Sequence, residues 1–139
     1  MSANNQFSIA AHLMAGLGYR GDIETTSADL ARSVNTSPSF LRRTLAKLSK
    51  AGLIVTAKGK NGFCKLAKTP AEISLLDIYL AVDAPKAFSI HQYEETKQCS
   101  VSCHIKSALE TALNKTQQGM EQSLAQITLA HLLSDIEKH

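Results

Sequence analysis

The chain has 139 residues, of which 44% are hydrophobic and only 5% aromatic, with no tryptophan and a formal net charge of +3. That length suits one compact domain, or a small domain with an oligomerisation arm, and the apolar content excludes wholesale disorder. Few aromatic stacking platforms make single-stranded nucleic acid a poorer partner than duplex, and no stretch is apolar for long enough to span a bilayer.

The charge is unevenly spread. Residues 1–70 hold ten cations against three acids, +7, and the remainder five lysines against nine acids, −4. A basic half joined to an acidic half suggests a polyanion-binding module attached to a part that stays off the polyanion. No basic segment leading into an apolar run opens the chain, so no signal peptide is expected. With three cysteines, an odd number, this predicts reduced thiols and a cytoplasmic protein.

In chain order, Phe7, Ile9, Ala10, Leu13, Met14 and Leu17 recur at helical spacing over residues 4–19, with Gly18 near the end. His12 on this helix is read as an ordinary histidine. Residues 19–26 are polar and read as a loop. Thr26 or Ser27 can cap a second helix running to Val34, with Asp29 in its first turn and Leu30, Ala31 and Val34 facing inward. Asn35-Thr36-Ser37 makes a tight turn. Ser37 then caps a third helix, with Pro38 in the first position, where its missing N–H costs nothing. Phe40, Leu41, Thr44, Leu45, Leu48 and Ala51 form its buried face, and Gly52 ends it. The opposite face carries Ser39, Arg42, Arg43, Lys47 and Lys50, with no carboxylate. Two short helices joined by a three-residue turn, the second basic, form a helix-turn-helix that offers its second helix to a major groove.

After Gly52 the period changes. Residues 53–57 and 63–67 read as the two strands of a hairpin whose tip, residues 58–62, contains two glycines, Asn61 and the lysines Lys58 and Lys60. A basic hairpin directly after a helix-turn-helix is a wing that can reach phosphate or the minor groove. Thr69-Pro70 closes it, Ser74 caps a short helix from Leu75 to Val82, and residues 85–98 fit a loop. From Ser100 a long helix follows, striped by Ile105, Leu109, Ala112, Leu113, Thr116, Met120, Leu124 and Ile127. Such a stripe needs a partner, and a second copy of the same helix is the simplest one, giving a two-fold homodimer. Thr128 starts a last helix whose Leu132, Leu133 and Ile136 can fold back on the domain. The fold expected is mainly α with a small β-hairpin.

Phe7-Ser-Ile-Ala-Ala-His-Leu13, Thr26-Ser-Ala-Asp-Leu-Ala31, Ser39-Phe-Leu-Arg-Arg43 and Lys50-Ala-Gly-Leu53 fall in a familiar order. With Ile73-Ser-Leu-Leu-Asp-Ile-Tyr79 and Thr128-Leu-Ala-His-Leu-Leu133, the whole chain resembles the Rrf-two family of bacterial winged-helix repressors. The resemblance implies a winged helix-turn-helix domain at 1–83, a sensor loop at 84–99, and a dimerisation helix with a C-terminal helix at 100–139. It implies a homodimer on a palindromic double-stranded DNA operator, with Ser39, Arg42 and Arg43 reading bases and Lys58, Lys60 and Asn61 as wing contacts. Arginine is the natural bidentate reader of guanine; Lys47 and Lys50 fall to phosphate.

Cys99 and Cys103 lie where signal-sensing members of that family carry cysteines. The start of a helix favours a thiolate, Lys97 and His104 add positive character, and an accessible thiolate is open to oxidation or alkylation. Redox or electrophile sensing with no cofactor is therefore the leading expectation. The alternative is an iron–sulfur cluster held by Cys99, Cys103 and His104, a set one short of the four ligands such a cluster takes. Cys64 reads as a buried filler. No Gly-rich phosphate loop, paired-histidine metal motif or nucleophile elbow occurs, so no enzyme is expected. A winged-helix interaction protein that does not bind DNA is the remaining alternative.

Overall fold

A computed structural model describes residues 5–21, 23–57 and 63–138. The elements are α1 (Asn5–Arg20), β1 (Thr25–Thr26), α2 (Ser27–Val34), α3 (Pro38–Lys50), β2 (Ile54–Thr56), β3 (Phe63–Leu66), a 3₁₀ turn (Pro70–Glu72), α4 (Leu75–Ala81), α5 (Ser100–Gln126) and α6 (Leu129–Glu137). The fold is mainly helical with a small antiparallel sheet, as the sequence predicts.

Local chemistry sets the helix starts. Thr26 and Ser74 each cap a helix through a capping box, their hydroxyls accepting from the amides of Asp29 and Asp77, whose carboxylates accept from the cap amides in return. Ser37 caps α3 by accepting from the Phe40 amide at 3.2 Å, with Pro38 in the first turn. At the other end of α3, Gly52 sits at φ +79° and donates to the Ser49 carbonyl, while Leu53 donates to Leu48. This double bond pattern turns the chain sharply into β2. Ala51, expected on the buried face, is instead exposed, because it lies past the last helical turn, where the chain already swings away.

The sheet differs from expectation by one strand. Residues 19–26 read as loop, yet Thr25 and Thr26 pair with Cys64 and Phe63 of β3, giving the order β1-β3-β2. Two residues carry no readable period; only the distant partner makes them a strand. Thr25 is buried, and its hydroxyl donates to the Ile23 carbonyl at 3.2 Å.

One apolar core joins Leu13, Met14, Leu41, Leu48, Ile54, Ile73, Ile78 and Leu129. Each such side chain contributes on the order of 1.5–3 kcal/mol by leaving water. Leu129 belongs to α6, so the C-terminal helix packs with the N-terminal module. Two backbone bonds lock it there: Leu75 N–H donates to Ile127 and Leu129 N–H to Ile73, both at 2.8 Å. Gly18 lets α1 and α6 approach, since a Cβ there would lie 2.8 Å from Leu133 Cδ1.

Helix α5 runs 27 residues, about 40 Å at 1.5 Å per residue. Leu113, Met120 and Leu124 are half-buried, whereas Ala112 and Thr116, expected on the same stripe, are exposed. The one buried residue of this helix is Gln117.

Candidate nucleic-acid interface and thiol site

The α2–α3 turn is fixed by Asn35, which adopts a left-handed φ of 58° and donates its N–H to Ala31. With Leu41, Thr44, Leu45 and Leu48 buried beneath it, α3 presents Ser39, Arg42, Arg43 and Lys50 to solvent. The Arg43 guanidinium lies 5.7 Å from the Phe40 ring centroid, which steadies it by a cation–π contact. The acid nearest in sequence, Asp29 of α2, is already engaged. Its carboxylate accepts from the Thr26 amide and pairs with Arg32 and, at 3.9 Å, with Arg20. Those hydrogen bonds from Thr26, helped by the two arginines, hold the Asp29 carboxyl below the usual carboxylate range. The basic face of α3 thus has no neighbouring free carboxylate on α2.

Lys47 is placed differently from the other cations of α3. It is half-buried, and its Nζ donates toward the Val82 carbonyl at the end of α4, 3.4 Å away. Lys58, Lys60 and Asn61, the expected wing contacts, lie outside the described residues. The strands that carry them are in place, with Val55 opposite Lys65 and Thr56 opposite Cys64. Lys65 is exposed on β3.

The second cluster lies at the start of α5. Cys99 is the N-cap, exposed, with its Sγ accepting from the Ser102 amide at 3.4 Å. Cys103 is half-buried, and its thiol donates to the Thr96 carbonyl at 3.5 Å. Tyr93 Oη donates to the Ser102 carbonyl at 2.6 Å, and the Thr96 amide donates to Ser102 Oγ at 2.8 Å. The loop before α5 is therefore laced onto the same turn that carries both thiols. Cys64 is buried in β3, and burial pushes its thiol pKa up.

The donor set around Cys99 does not fit an iron–sulfur cluster within one chain. Among the described residues, no group of three or more His, Cys, Asp or Glu side chains is placed to hold a metal ion. His104 Nδ1 lies 2.8 Å from the Ser100 carbonyl, and His91 stacks on Tyr93 with ring centroids 5.0 Å apart.

Two residues absent from the sequence-based site join α4 to α5: Tyr79 and Gln117, whose side chains are hydrogen-bonded to each other at 3.0 Å. A signal for Gln117 was present in the spacing: Leu113, Gln117, Met120 and Leu124 follow steps of four, three and four.

Residues 3–135 match the model of the Rrf2 (Rrf-two) family, described as an iron-dependent transcriptional regulator. The chain is 33% identical over 134 residues to YwnA of Bacillus subtilis, a candidate HTH-type transcriptional regulator, covering 96% of this chain and 98% of that protein. A crystal structure of a candidate transcriptional regulator from Lactobacillus plantarum superposes with a TM-score of 0.83 at 26% identity, covering 98% of this chain and 92% of the other. A second, of a candidate DNA-binding protein, gives 0.73 at 32% identity, covering 92% and 98%.

Proposed function

The chain belongs to the Rrf2 family of transcriptional regulators, and on that premise we propose that it is a homodimeric repressor whose grip on its operator changes when Cys99 or Cys103 is modified. Its family relatives are transcriptional regulators, not enzymes. The observation that carries the DNA reading is the exposed, acid-free face of α3. Arg42 and Arg43, with Ser39 beside them, have the chemistry to read guanine edges in a major groove. Lys50 and the wing residues Lys58, Lys60 and Asn61 supply phosphate contacts that set register and salt dependence, whereas Lys47, expected among them, is directed to the Val82 carbonyl. Support for a dimer comes from α5, whose Val101 is 68% exposed and whose Ala112 is exposed as well. A second α5 would cover that surface and place two recognition helices on half-sites about one turn apart.

The thiol pair supplies the switch. A Cys99 thiolate attacks a peroxide oxygen; the S–O bond forms, the O–O bond breaks, and the released hydroxide takes a proton and leaves as water. The thiol of a second cysteine then attacks the sulfenic sulfur. The S–S bond forms, the S–O bond breaks, and the hydroxyl leaves with the thiol's proton as a second water. The two sulfurs lose two electrons, which the peroxide gains. Cys99 is the N-cap, with extended φ and ψ of −104° and 112°, and its sulfur holds the Ser102 amide. Closing Cys99 on Cys103 would turn the two sulfurs toward each other and remove both the cap to Ser102 and the Cys103 bond to Thr96.

The test is selection of bound duplexes from random DNA, run with reduced and with peroxide-treated protein. A single palindromic motif retained by the reduced form and lost by the oxidised form is expected. No enrichment at low salt would remove the DNA assignment, and equal enrichment by both forms would remove the thiol switch.

A further inference from the structure

Gln117 is 8% exposed on a helix that buries nothing else. A primary amide taken out of water is expensive unless its hydrogen bonds are replaced, and here they are. Gln117 Oε1 accepts from the Ala87 amide at 3.1 Å, and Nε2 donates to Tyr79 Oη at 3.0 Å and to Glu121 at 3.1 Å. Tyr79 Oη, accepting from Gln117, donates in turn to the Pro85 carbonyl at 2.6 Å. Tyr79 is itself 8% exposed and has its ring edge-on to Phe7 of α1, centroids 6.0 Å apart. Leucine or methionine could fill the same space without needing partners, so the amide adds geometry rather than burial.

That geometry joins three elements at one point: the end of α4, the first residues of the loop that leads to Cys99, and the middle of α5. Three residues beyond Tyr79, the Val82 carbonyl receives Lys47 of the recognition helix. Tyr79, Val82 and the loop are further tied because Ala84 N–H donates to the Tyr79 carbonyl, with Asp83 turned to a positive φ of 52°. We infer that Gln117 and Tyr79 are positioning residues that hold the thiol loop and α5 in one fixed pose on α4, so that a change at the thiols reaches α3 through this junction. The inference rests on the thiol-switch reading above and names the route by which the switch acts.

The experiment measures operator affinity of reduced and peroxide-oxidised protein for the wild type, Gln117→Leu, Tyr79→Phe and the pair. Couplings between sites commonly amount to about 5- to 150-fold. The wild type is expected in that range, while each variant binds the reduced operator as the wild type does but loses the ratio, to within about twofold of unity. The double variant should lose the ratio to the same extent as either single one, because each single variant already removes the Gln117–Tyr79 bond on which the junction depends. Amide exchange at Ala87, slowed in the wild type, should speed up in Gln117→Leu with unfolding midpoint little changed, a readout that separates positioning from general stability. A wild type that responds alongside variants that respond equally overturns the inference and leaves the switch standing. A wild type that does not respond overturns the switch, and the route falls with it.

Discussion

Helices α1, α2, α3 and α4 each bury at least one aliphatic side chain almost completely: Leu13, Leu30, Leu48 and Ile78. Helix α5 is longer than any of them, yet the residue it buries is an amide, and its aliphatic side chains stay half-covered or open. The first four helices fold around a shared core that Leu129 of α6 completes. The long helix is held by the same body through one side only, around Leu113, Gln117, Met120 and Leu124. An apolar face left uncovered on one element of an otherwise closed core is the mark of an element whose partner lies outside the chain, and a second α5 is the proposed one.

The largest effect that would sharpen this contrast is in the module. Leu48→Ala should cost about 2–5 kcal/mol, read from urea unfolding, whereas Ala112→Ser on the exposed side of α5 should stay within about 0.5 kcal/mol. Comparable losses at both sites would erase the distinction. Next, Leu109→Glu should halve the mass seen by sedimentation while the module's unfolding midpoint holds, since it sets like charges against each other across the two-fold. An unchanged mass would place the dimer contact elsewhere. Arg43→Ala should lower operator affinity by about 1–3 kcal/mol with no shift in unfolding; intact affinity would remove Arg43 as a base reader. Ser37→Ala should lower stability by about 1 kcal/mol through loss of the α3 cap, and a neutral result would show that Pro38 alone fixes that turn. The smallest effect is at low pH. Because the folded state holds the Asp29 carboxyl below its unfolded value of about 3.9, its contribution is full above that pH and fades as pH falls through the folded value. Asp29→Asn should therefore flatten the stability profile below about pH 4; a profile as steep as the wild type's would assign the acid sensitivity to other carboxylates.

The helices were legible because their signals are local. Ser37-Pro38, Thr26 with Asp29, and Ser74 with Asp77 sit where the caps form, and Gly52 adopts the left-handed turn expected of it. What stayed hidden depends on distant partners. Thr25 and Thr26 become a strand only because β3 lies beside them. The spacing puts Gln117 on the same face as Leu113, Met120 and Leu124, but does not give the partners that satisfy its amide there, Tyr79 and Ala87, thirty or more positions away. The basic face of α3 could be read from residue types alone, but not that Lys47 turns aside from Arg42 and Arg43 toward α4.

The docking of α6 carries a consequence for how the protein is made. Leu129 is fully buried in the core that α1 to α4 build, and its backbone is pinned to Ile73. A nascent chain that has released the recognition helix from the ribosome still lacks part of its own interior. The module closes only once Leu129 and Leu133 have been translated, so a product terminated before them would leave Ile73 and Gly18 uncovered rather than yield a small, competent competitor for the operator.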